Sequence, residues 1–185
     1  MTLKDSLVTA ALFVGLLWVV WLADRVTPTL PFAQFGINPR EESGLVGIAL
    51  APLIHGGRLH LVANSAPMFV LSAISLYFYR GVIWIAGPFI YFVSGVLVWL
   101  FARESFHIGA SGLIYGLAAF ILFSGLFRRR VLPLLLAVLI AVLYGGLVWG
   151  VLPLTPGVSW ESHLFGAVSG GTSAYLFRKV ARDDG

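Results

Sequence analysis

The sequence predicts an all-α membrane protein: a bundle of six transmembrane helices, both termini cytoplasmic, with a long first outer loop. Three observations carry this. Hydrophobic residues fill 59% of the 185 positions and charged ones only 11%, where soluble domains carry about 25% charge. The charges that remain leave six uninterrupted charge-free runs of 16 residues or more, 6–23, 59–79, 81–102, 105–127, 131–160 and 162–177. Basic residues collect in alternate gaps between those runs, as the positive-inside rule requires.

The runs yield helices at 6–23, 59–79, 82–102, 111–127, 131–150 and 161–178. Crossing a bilayer takes roughly 17–25 apolar residues, and the first five runs reach that length. The first follows Lys4 and is long and aromatic (Phe13, Trp18, Trp21), with no small-x-small cleavage site; it reads as a retained helix rather than a signal peptide. Residues 24–57 form the first outer loop, rich in Pro and Gly. Its apolar stretch Ser43–Gly57 is short and carries Pro52, Gly56 and Gly57, so it reads as interfacial or re-entrant. Arg80-Gly81 joins the second and third spans tightly, and Arg128-Arg129-Arg130 joins the fourth and fifth. Gly150 to Ser159, with Pro153, Pro156 and Gly157, reads as an outer-surface cap. The sixth run has 16 residues and spans if Arg178 and Lys179 snorkel. The chain 1–185 is read as one domain without repeats.

Six crossings put both termini on one side. That side collects eight basic residues: Lys4, Arg80, Arg128, Arg129, Arg130, Arg178, Lys179 and Arg182. The other holds four, Arg25, Arg40, Arg58 and Arg103, diluted by Asp24, Glu41, Glu42, Glu104 and Glu161. The termini are therefore expected in the cytoplasm. The net charge of +4 is an orientation signal for the lipid bilayer, and no nucleic-acid partner is expected. No cysteine is present, which excludes disulfides and thiolate chemistry.

Strongly polar side chains inside membrane spans are costly and mark function. Four stand out: His60, Asn64, Ser111 and His163. Asn64 lies 16 residues before Arg80, Ser111 17 before Arg128 and His163 15 before Arg178. At a rise of about 1.5 Å per residue these are heights of about 24, 25 and 22 Å above the inner boundary. All three fall at one level, just below the outer edge of a core about 30 Å thick. Unrelated polar residues would not agree in this way.

Taken alone, Ser111 in Gly109-Ala110-Ser111-Gly112 reads as a helix N-cap, and His163 as a helix-end histidine facing the interface. At a shared depth they read as a nucleophile and its base. Glu161, two residues before His163, lies on another helix face, which favours a Ser–His dyad over a triad. His60 and Asn64 are spaced i,i+4 on one face and can donate to a developing oxyanion, with the Ser111 amide as a third donor. Tyr115, i+4 from Ser111, is placed to pack its ring on His163. Gly112 and Gly116, and Gly166 and Gly170, give small-residue spacings that let two membrane helices approach closely. His55 is read as a loop anchor and His107 as structural. No HExxH, cysteine or nearby acidic ligand accompanies these histidines, so no metal and no cofactor is expected. No Asp lies inside a span, which excludes an aspartyl intramembrane protease.

These residues resemble the rhomboid family of intramembrane serine proteases. The match comprises His55 and His60-x-x-x-Asn64 at the second span, Gly109-x-Ser111-Gly112 at the fourth, and His163-x-x-Gly166-x-x-x-Gly170 on the sixth. The resemblance covers nearly the whole chain and is similar to the minimal six-helix bacterial form. It implies Ser111 as nucleophile, His163 as general base, and His60, Asn64 and the Ser111 amide as oxyanion hole, with Tyr115 packed on the histidine. Two positions depart from the family pattern. A Trp-Arg pair common in the first outer loop is replaced by Gly44-Leu45-Val46-Gly47-Ile48 before Ala51-Pro52-Leu53, and His107 stands where better-known members have an apolar residue.

The expected function is a serine endopeptidase of a bacterial plasma (inner) membrane, its active site facing the outer side and its partners transmembrane protein substrates. The alternative is a non-catalytic rhomboid-like protein that binds membrane helices. A small transporter or proton channel fits less well, because the fourth and sixth spans are nearly apolar below the outer third.

Overall fold

Thr2 and Asp5 exchange hydrogen bonds across the first turn of α1 (Leu3–Val26): Asp5 N–H donates to Thr2 Oγ1 at 3.1 Å and Thr2 N–H to Asp5 Oδ2 at 2.9 Å. This reciprocal box satisfies two backbone donors that a helix start otherwise leaves orphaned. The computed structural model, which describes residues 1–27, 29–128, 131–154 and 157–180, continues from there as an all-helical chain. After α1 come α2 (Gly47–Leu50), α3 (Arg58–Phe78), α4 (Ile83–Phe101), α5 (Ser111–Arg128), α6 (Val131–Tyr144) and α7 (Trp160–Leu176). Among the described residues there is no strand, only one isolated antiparallel bridge between Ile37 and His107. Arg129, Arg130 and Arg182 of the orientation count lie outside the described residues, as does Pro156 of the expected outer-surface cap.

Three helices, α1, α3 and α4, are long and apolar enough to cross a membrane; α5 and α6 are apolar but shorter. The fifth helix, expected over 131–150, is α-helical only to Tyr144 and continues as a tighter 3-10 turn from Gly145 to Val151. Gly145-Gly146 accounts for the change, since glycine is the poorest non-proline helix former. The stretch expected to be interfacial or re-entrant forms three short helical turns, at 42–45, 47–50 and 51–53.

Lipid tails are as apolar as leucine, so these helices gain little from hydrophobicity alone and associate through close packing. The seam between α5 and α7 shows how. A methyl group on Gly166 would collide with the carbonyl oxygen of Gly112, and one on Gly170 with that of Gly116. Two backbones therefore touch directly. Ile90 of α4 fills the hollow left at Gly116, and Tyr79, Phe120, Met68 and Leu71 complete a core shared by α3, α4 and α5. On the far side, Trp18 Nε1 donates to Ser65 Oγ at 3.1 Å, tying α1 to α3.

The first loop, which lacks the Trp-Arg pair, is held by other residues against the end of α4. Arg40 donates from its amide to the Trp99 carbonyl at 2.9 Å and from Nη1 to the Ala102 carbonyl at 2.7 Å. Trp99 Nε1 returns a bond to the Glu41 carbonyl at 2.9 Å, and the Tyr91 hydroxyl donates to the Ala49 carbonyl at 2.5 Å. Paired bonds between Ile37 and His107 (3.0 and 2.9 Å) then carry the loop to the segment that leads into α5.

Candidate active site

The approach to Ser111 is dictated by backbone. Gly109 has φ +110°, a conformation that side-chain-bearing residues rarely adopt, and a Cβ there would run into the His60 ring. Its amide donates to the Ala51 carbonyl at 2.8 Å. The next amide, Ala110 N–H, donates to His55 Nε2 at 3.4 Å, while His55 Nδ1 faces the Leu53 carbonyl at 3.3 Å. A carbonyl only accepts, so His55 carries its proton on Nδ1 and is a neutral anchor between the first loop and the start of α5.

Burial, reinforced by the neighbouring His60 imidazole, pushes the His55 pKa down to about 4. An unfolded chain takes up the proton near 6.5 and the folded one resists it, so the unfolded state binds more protons between those values. Stability is complete above pH 6.5 and falls as pH drops toward 4, by up to about 3 kcal/mol. Thermal unfolding in detergent at pH 7 and pH 5 should show this loss. His55→Gln should flatten the dependence.

Ser111 opens α5 and His163 lies in the first turn of α7, and the α5–α7 seam brings them together. Ser111 Oγ is 2.9 Å from His163 Nε2, and His163 Nδ1 is 2.8 Å from the Gly150 carbonyl oxygen. The second contact requires Nδ1–H, which leaves the Nε2 lone pair aimed at the serine hydroxyl. Tyr115 lies flat on the imidazole, ring centroids 4.1 Å apart and planes 5° from parallel.

His60, Asn64, Ser111, Tyr115 and His163 line one cavity of about 670 Å³. Asn64 is 5% exposed, and its Nδ2 has no hydrogen-bond partner among the described residues. Buried polar groups are nearly always paired, so a donor left open toward a cavity is suited to an incoming oxygen. The His55 and His60 rings sit 5.0 Å apart, which places the anchor directly behind the cavity wall. Gly112, Gly166 and Gly170 form the helix seam beneath. The structure thus brings His55, His60, Asn64, Gly109, Ser111, Tyr115 and His163 to this cavity or its wall, with the glycine seam below, and no group of three or more metal-ligating side chains occurs among the described residues.

Two arrangements were not legible in advance. One is the Gly150 carbonyl, a backbone atom to which no residue type points. The other surrounds His107. Its Nε2–H donates to the Arg103 carbonyl at 3.0 Å, so Nδ1 accepts from Ser159 Oγ at 2.5 Å, and Ser162 Oγ lies 2.6 Å from that same oxygen. Burial holds the His107 pKa below its ordinary value, in keeping with a neutral ring. Arg103 adds a 2.7 Å bond to the Val158 carbonyl and a 3.4 Å ion pair with Glu161, which is 3% exposed. This network clamps the loop before Ser111 to the start of the helix that bears His163. Ser159, which caps α7, was the one readable sign of it.

A family profile described as "Rhomboid domain" matches residues 42–180. Among curated proteins the chain is similar to an uncharacterized protein of Mycobacterium tuberculosis, 37% identical over 184 residues that span 94% of this chain and 76% of the relative. A Mycobacterium bovis protein matches to the same extent. An uncharacterized protein of Mycobacterium leprae is 38% identical over 185 residues, covering 95% of this chain and 72% of its own length.

Proposed function

The chain belongs to the rhomboid family, and from that footing we propose that it is an intramembrane serine endopeptidase acting through Ser111 and His163. The observation that carries the proposal is the 2.9 Å contact between Ser111 Oγ and His163 Nε2, beside an Asn64 amide in the same cavity that has no partner among the described residues. The Ser111 proton passes to Nε2 as Oγ bonds to the scissile carbonyl carbon. Negative charge then develops on the carbonyl oxygen, where Asn64 Nδ2, His60 and the Ser111 amide donate to it. Collapse breaks the C–N bond, and the proton on Nε2 leaves with the amine. Water, activated by the same nitrogen, hydrolyses the acyl-serine and restores both residues.

In this reading α1 and α3–α7 are the six membrane crossings, with both termini cytoplasmic in a bacterial plasma membrane and the cavity facing outward. A transmembrane substrate approaches laterally between α3 and α6. It must unwind locally, because a helix shields and hydrogen-bonds its own carbonyls.

A fluorophosphonate probe tests the proposal. Covalent labelling that disappears in Ser111→Ala supports it. A native chain that stays unlabelled and inactive on transmembrane substrates in liposomes would mean a non-catalytic helix binder instead. Asn64→Ala should lower kcat about 10²–10³-fold, the range for loss of one oxyanion donor, with native folding by circular dichroism.

A further inference from the structure

In serine hydrolases built on a triad, a carboxylate on the far ring nitrogen fixes the histidine tautomer. Among the described residues no carboxylate does so for His163. Glu161, two residues away, has neither carboxylate oxygen in a hydrogen bond; its near oxygen faces Arg103 Nε at 3.4 Å. The far nitrogen, Nδ1, meets the Gly150 carbonyl at 2.8 Å instead.

Gly150 belongs to the 3-10 turn Gly145–Val151 that leaves α6 at its diglycine. Its Cα lies so close to the stacked rings that an added Cβ would overlap the Tyr115 hydroxyl and stand 3.2 Å from His163 Nδ1. Only glycine brings its carbonyl to that nitrogen while leaving the Tyr115–His163 stack intact. The residue type and the contact therefore explain one another.

We propose that Gly150 is a positioning residue: its backbone carbonyl holds His163 in the Nδ1–H tautomer, so proton transfer from Ser111 requires the turn Gly145–Val151 to be seated. With the turn displaced, the ring can place its proton on Nε2, where it faces the serine hydroxyl with a donor in place of a lone pair. The proposal rests on the Ser111–His163 reading but is tested separately from it.

The test uses the full chain in detergent with ¹⁵N-labelled histidine, the His163 signals being assigned by their loss in His163→Ala. Above neutral pH, the native protein should show a protonated Nδ1 and a bare Nε2; the opposite tautomer overturns the proposal whether or not the protein cleaves anything. Gly150→Ala should lower kcat about tenfold to hundredfold, by analogy with loss of the hydrogen-bond partner that orients a metal-bound imidazole, with KM within about twofold and a mixed tautomer. Adding Tyr115→Phe removes the overlapped oxygen and should restore both kcat and the Nδ1–H signal. A Gly150→Ala protein with native kcat and tautomer refutes the assignment. So does a kcat defect that persists beside a native tautomer. If Gly150→Ala fails to fold, the native tautomer alone decides. Absence of cleavage by the native chain would refute the protease reading and leave the tautomer measurement standing.

Discussion

Replacing Ser111 with Ala is expected to reduce cleavage of a transmembrane substrate in liposomes by at least about 10⁴-fold, with no change in helix content. Loss of the nucleophile in a serine hydrolase removes the covalent route altogether and leaves only what binding and the oxyanion donors supply. The fold should tolerate the change, because the α5–α7 seam is formed by glycines and backbone carbonyls rather than by this hydroxyl. His163→Ala should fall to the same floor, and the double variant no further, since groups that act as a unit are not additive. Full activity in Ser111→Ala would sink the assignment of the nucleophile.

Gly166→Val should be the most damaging single change to stability. Its Cβ would collide with the Gly112 carbonyl oxygen, and backbone cannot rotate aside as a side chain can. The helices must separate, at a cost upward of about 3 kcal/mol, and Ser111 and His163 move apart with them. Thermal unfolding and probe labelling should therefore fail together. Gly15→Ala is the matched control: nothing lies within 4 Å of a Cβ at that position of α1, so stability should hold or rise by up to about 1 kcal/mol. Equal damage from both changes would argue that the seam has no special role.

Much of this was readable because charge is so scarce in the chain. The few charged residues delimit the helices, and the shared depth of Asn64, Ser111 and His163 singled out one site from residues that are ambiguous alone. What remained hidden has physical reasons. The Gly150 carbonyl is an atom every residue possesses. The end of α6 at Tyr144 falls inside an unbroken apolar run, where composition gives no boundary and only the diglycine weighs against continuation. Helix geometry separates Glu161 from His163, and no periodicity reveals that Arg103, from another loop, meets it. His107 is interpretable only once Ser159 lies beside it, 52 positions away.

The glycine seam has a consequence for the lipid environment. Bilayers differ in thickness, and helices answer hydrophobic mismatch by tilting. Where two helices meet through interdigitated side chains, tilting can be taken up by rotamer changes, and residues carried on them drift. Gly112 against Gly166, and Gly116 against Gly170, leave no rotamers between the two backbones, so α5 and α7 tilt as one piece. Lengthening or shortening the surrounding acyl chains will thus change how this helix pair leans against α3, α4 and α6 before it changes the distance between Ser111 and His163.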